Sequence, residues 1–124
     1  MAKPLGILLL SGGHERAHYA LVLATGAAAL GREVVLFATN AGCHLFLEPT
    51  PLLSDPREAV LEARGVAGIR TLLDAAAELG LRRIACEAGL RAEGLAGATL
   101  APGVEVAGVA TFLAALGDGQ VVSL

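Results

Sequence analysis

Cys86 stands between a short apolar run, Leu81-Arg82-Arg83-Ile84-Ala85, and Glu87-Ala88-Gly89-Leu90-Arg91-Ala92-Glu93, which reads as a helix of one to two turns stopped by Gly94. A strand that hands over to a helix puts a thiol at the carboxyl edge of an open α/β sheet, where such sheets bind ligands. The thiol then lies near the positive end of the helix, which favours thiolate, the nucleophilic form. Glu87 opposes this, because an adjacent carboxylate disfavours a second negative charge. Arg82, Arg83 or Arg91 offsets it only if the fold brings one of them to the sulfur. The plainer reading is a buried cysteine that fills space.

Two other clusters invite the same weighing. Ser11-Gly12-Gly13-His14 lies between an apolar run and a helical stretch, so its backbone N–H groups could cradle an anion. No Gly-Lys-Ser/Thr follows and the glycines lack the dinucleotide spacing, so neither nucleotide motif is present; a tight turn is the plain alternative. Cys43 also follows a strand and opens a helical segment, with His44 beside it as a conceivable general base. Two thiols on one sheet edge would suit a redox pair or a sulfur relay. His14 and His18 share a helical face and could join the cysteines around zinc. No paired Cys-x-x-Cys supports that, so no metal and no cofactor is expected. His14 reads as a polar wall of the crevice and His18 as a packed histidine.

The elements that must position these groups follow from hydrophobic runs. Leu5–Leu10 is an unbroken apolar run of strand length, His14–Leu30 an alanine-rich helix ended by Gly31, and Glu33–Ala38 a second buried strand. Strand, helix and strand within 40 residues make a βαβ unit, which requires parallel strands and a right-handed crossover. Ala41–Leu47 reads as a loop opening a short helix. Glu48–Pro56 holds three of the five prolines and reads as irregular, with a helical turn or two over Arg57–Arg64. The whole 48–66 segment is read as a mobile flap or a subunit-contact loop. Ile69–Leu79 is an amphipathic helix ended by Gly80, and Cys86 closes the third strand. Val104–Val106, Val109–Leu116 and Gln120–Leu124 supply a strand, a helix and a last strand. The chain therefore reads as one domain, residues 1–124, with a doubly wound, mostly parallel five-stranded α/β sheet carrying helices on both faces.

Composition narrows the function classes. Of 124 residues, 55 % are hydrophobic and only 17 % charged, against ~25 % charged in an average soluble domain. So much apolar surface on a small chain suggests burial against further copies of itself. Membrane insertion fails on length: the longest stretches free of charge and histidine, Tyr19–Gly31 and Val106–Gly117, have 13 and 12 residues where a span needs about 20. Met1-Ala2-Lys3-Pro4 leads straight into the first apolar run without a leader pattern. A net charge of −3 with scattered basic residues offers no stripe for nucleic acid. Two cysteines 43 positions apart read as reduced cytoplasmic thiols.

Taken in order, these segments resemble the DsrE/DsrF-like family, whose better known relatives include the TusD-type sulfur carriers. The likeness spans the chain. It runs from the strand, loop and long helix of Leu5–Leu30, through Ile84-Ala85-Cys86-Glu87-Ala88-Gly89-Leu90, to Val106-Ala107-Gly108-Val109-Ala110-Thr111-Phe112 before the terminal strand. The resemblance implies a small cytoplasmic α/β protein, oligomers of three or six subunits, and a cysteine that passes persulfide sulfur between protein donors and acceptors. On this chain that cysteine would be Cys86. The Ser11–His18 and Gly42–His44 stretches are not features of the sulfur carriers and would mark a subgroup with a different task. Two further readings stay open: a small-anion or nucleotide binding module at the Ser11–His14 loop with structural cysteines, and a thiol oxidoreductase using Cys43 and Cys86.

Overall fold

The computed structural model describes residues 2–124. Five strands form one sheet: β1 (Leu5–Leu9), β2 (Val34–Ala38), β3 (Arg82–Cys86), β4 (Val104–Ala107) and β5 (Gln120–Ser123). Their order across the sheet is β4-β3-β2-β1-β5, and all four pairings are parallel. The helices are α1 (His14–Ala29), α2 (Pro56–Ala63), α3 (Ile69–Glu78), α4 (Glu87–Ala92) and α5 (Val109–Leu116). This is the doubly wound α/β sheet that the alternating runs predict.

The order explains the layering. From β1 to β4 the chain steps along the sheet in one direction, then returns past β1 to lay down β5. Right-handed crossovers that run in opposite directions place their helices on opposite faces. Accordingly Ala17, Leu21, Ile69 and Ala76 of α1 and α3 pack on Leu5, Ile7, Leu9 and Leu36, forming the larger core. Phe112 and Leu116 of α5 pack on the other face against Val35, Phe37, Ile84 and Cys86. There the Phe37 and Phe112 rings stack with centroids 4.7 Å apart.

The 48–66 segment corrects the expectation drawn from its prolines. Pro51 opens a 3₁₀ turn, Pro51–Ser54, and Pro56 opens α2, each in the first turn, where the missing N–H has no helical partner to lose. Both starts are capped. Thr50 Oγ1 accepts from Leu52 N–H at 3.3 Å, and Asp55 Oδ1 from Arg57 N–H at 2.8 Å. The segment is then tied to the body through Glu58, whose carboxylate accepts from His14 Nε2 and from Ile69 N–H, both at 2.7 Å. Pro51 and Pro56, which read as breakers, are helix starters here, while Pro49 lies in no helix.

Candidate functional site

The parallel sheet gathers the loops after β1, β2 and β3 at one edge. Residues 10–13 reach the 3₁₀ segment Asn40–Phe46 through Gly42 N–H, which donates to Leu10 O at 3.1 Å. That segment in turn packs against α4. Gly89 makes the approach possible, since a Cβ there would strike Asn40 N and Thr39. The two cysteines are thereby placed next to each other in the fold, on opposite sides of the sheet's edge.

Cys86 is the last residue of β3 and the N-cap of α4, as the sequence predicts. Its Sγ accepts a hydrogen bond from Gly89 N–H at 3.4 Å. It keeps 7 % of its surface and belongs to the α5-side core. The arginines that might have steadied a thiolate are engaged elsewhere. Arg82 forms a two-pronged pair with Glu105 at 2.8 and 3.1 Å, and Arg91 reaches Glu87 at 3.8 Å. Arg83 lies on the opposite face of β3, because side chains alternate along a strand. The group aimed at the sulfur is a backbone amide rather than a cation.

Cys43 is a different kind of thiol. It has no exposed surface, lies in the α1/α3-side core, and its Sγ–H donates to Ala38 O at 3.5 Å. Burial, with a smaller contribution from the charge Cys86 can carry, pushes its pKa up to about 11. It is held as a neutral thiol. Both cysteines are free.

The histidines do not converge on either sulfur. His44 Nδ1 donates to Ala41 O at 2.9 Å within its own turn. His14 and His18 stack with ring centroids 6.0 Å apart; His14 is directed to Glu58 and His18 Nε2 donates to Ala67 O at 2.8 Å. Partial burial works against the charge on Glu58, but the Ile69 N–H, His14 and Arg70 N–H outweigh it and hold its pKa below 4.5. Glu58, which the sequence did not single out, is therefore the anchor that both His14 and α3 share. Among the described residues no three His, Cys, Asp or Glu side chains gather as metal ligands.

Of the Ser11–His14 loop, Ser11 Oγ already accepts from Gly13 N–H at 3.1 Å. Gly12 lines a cleft of about 460 Å³ with Ala41, His44 and Asp55. The loop and His44 thus share a cleft, and Cys86 lies outside it. No described helix is long and apolar enough to cross a membrane.

Comparison with known proteins adds an independent line. The model of the DsrE/DsrF-like family matches residues 3–124. Among solved structures, the crystal structure of the ychN protein from E. coli superposes with a TM-score of 0.73 at 18 % identity, covering 100 % of both chains. At that identity the likeness speaks for the fold. A search of curated proteins finds no match.

Proposed function

The chain belongs to the DsrE/DsrF-like family, and on that premise we propose that it is a sulfur-relay protein that carries persulfide sulfur on Cys86. The observation that carries this reading is the contrast at the sheet edge. Cys86 keeps some surface and a backbone N–H on its sulfur, whereas Cys43 is enclosed and held protonated. The Cys86 thiolate attacks the outer sulfur of a donor's R–S–SH. A new S–S bond forms on Cys86, the donor's S–S bond breaks, the outer sulfur keeps its proton, and the donor leaves as a thiolate. An acceptor thiolate then attacks the outer sulfur of Cys86–S–SH and restores the free thiol. Both steps are thiol–persulfide exchange without net oxidation, so no cofactor is required.

Incubation with a low-molecular-weight persulfide, followed by intact-mass measurement, tests the proposal. Addition of one sulfur atom, reversed by reductant, is expected for the native chain and for Cys43→Ala, and not for Cys86→Ser. Loading that persists in Cys86→Ser, or no loading of the native chain, overturns it.

The setting of that chemistry is a cytoplasmic homo-oligomer of three or six chains. Supporting this, α5 turns Val109 and Leu113 outward at 55 % and 54 % exposure, and the edge strand β5 exposes Val121 on the same face. Apolar surface of this kind, on so hydrophobic a chain, marks an interaction face. Sedimentation at micromolar concentration is expected to give a multiple of three; a monomer would remove this part of the reading.

A further inference from the structure

Arg83 is a half-buried cation that the sulfur chemistry leaves unused. It projects from β3 on the side opposite Cys86, and its Nε–H is buried without an acceptor. No hydrogen bond or ion pair to this guanidinium occurs among the described residues. That N–H is costly to keep, because a buried donor without an acceptor loses its hydration and gains nothing in return. Burial pulls its pKa below the usual guanidinium range. Nearby carboxylates do not answer it: Glu105 is occupied by Arg82 on the other face.

The guanidinium lines a cleft of about 190 Å³ between α3, the 47–50 segment and the Pro102-Gly103 turn. Arg70 lines the same cleft from α3, with Thr50 and Pro102; Glu48 and Asp74 stand there too, neither paired with an arginine. The turn itself makes room for Arg83. Gly103 holds φ of +86°, and a Cβ there would lie 2.7 Å from Arg83 Nη2. Two arginines lining one small cleft, half-buried Arg83 and exposed Arg70, offer a site for a planar oxyanion, which Arg recognises through paired N–H groups. The volume is below the range of drug-sized pockets, so it takes a small acid or the acid end of a longer molecule.

We infer that the Arg83–Arg70 cleft is a binding site for a small carboxylate or phosphate, separate from the thiol site and on the opposite face of β3. Glu48 and Asp74 would meet an ammonium or hydroxyl carried by the same molecule. The site stands whether or not Cys86 carries sulfur.

Thermal unfolding of the full chain with malonate or with inorganic phosphate, each against sodium chloride at equal ionic strength, tests it. A ligand that binds only the folded state raises Tm with concentration in a saturable way. A rise of a few degrees is expected with at least one probe, and which probe gives it distinguishes carboxylate from phosphate. Arg83→Met is expected to abolish that rise while leaving the unliganded protein about as stable, since it removes a buried N–H that has no acceptor. Arg70→Gln, at an exposed helical position that folding does not depend on, is expected to weaken the response about tenfold. Arg82→Gln, on the other face, is expected to leave it intact. No saturable rise with either probe, or a rise unchanged in both Arg83→Met and Arg70→Gln, overturns the inference. Should Arg83→Met fail to fold, Arg70→Gln decides alone.

Discussion

Cys43 and Cys86 occupy the same place in the topology and have opposite characters. Cys86 ends one strand of the parallel sheet and caps α4, and Cys43 lies in the 3₁₀ segment that follows the neighbouring strand, at the same carboxyl edge. Yet Cys43 is sealed in the α1/α3-side core with its proton given to Ala38 O, while Cys86 keeps a small exposed surface and accepts from Gly89 N–H. The difference arises one level below topology. Cys86 is the strand's own last residue, so its side chain points to the α5 face, where a single two-turn helix covers the sheet. Cys43 comes five residues after Ala38, on a 3₁₀ segment packed against α4 and the ends of β2 and β3. A thiol at a sheet edge is thus not a site by position alone. What decides is which face it turns to and how thickly that face is covered.

The largest expected effect is in native-state alkylation. Cys86 needs at most a local opening near α4 and α5 to meet a reagent, whereas Cys43 needs the core itself to open, and such openings differ widely in free energy. Each 1.4 kcal/mol between them is about tenfold in rate. Labelling with iodoacetamide at pH 8, mapped by peptide mass, is expected to modify Cys86 at least about a hundredfold faster than Cys43. Comparable rates, or modification of both only on unfolding, would break the contrast and leave Cys86 a packing residue.

Much of this arrangement was legible from residue types, and the exceptions share a cause. The strands, the long helix and the place of Cys86 at the β3–α4 junction follow from apolar runs and from glycines that end helices, which are local signals. The five strands alternating with helices give the sheet, and the crossover rule gives the sides. What remained hidden depended on long-range partners. Pro51 and Pro56 looked like breakers, and only the caps at Thr50 and Asp55 turn them into helix starts. An Asp immediately before a Pro was the available signal, since it is an N-cap followed by the favoured first helical residue. Glu58 gave no such sign, because its partners His14 and Ile69 are 44 and 11 residues away. The three arginines around Cys86 misled for a related reason. Sequence proximity brings Arg82 and Arg83 near the sulfur, but strand alternation and Glu105 send both elsewhere.

The smaller expected effect is an alkaline one, and it sharpens the comparison from the side of Cys43. An exposed thiol has an ordinary pKa of 9.0, and Cys43 in the folded chain is at about 11, because burial disfavours its charged form. Between those values the unfolded chain gives up this proton while the folded chain keeps it. The folded state then binds more protons, so stability falls as pH rises. The contribution is fully present below pH 9 and is lost on passing through pH 11, at no more than about 1.4 kcal/mol per pH unit and about 3 kcal/mol in all. Other groups ionise in the same window, so the measurement is the difference between proteins. Urea unfolding from pH 8 to 11 is expected to show a steeper loss for the native chain than for Cys43→Ala, whatever constant offset the smaller side chain introduces. Cys86→Ser removes only the lesser cause of the shift, the charge on its neighbour, and should keep most of the slope. If Cys43→Ala has the native slope, Cys43 ionises freely in the folded state, and the two thiols are no longer distinguished by burial.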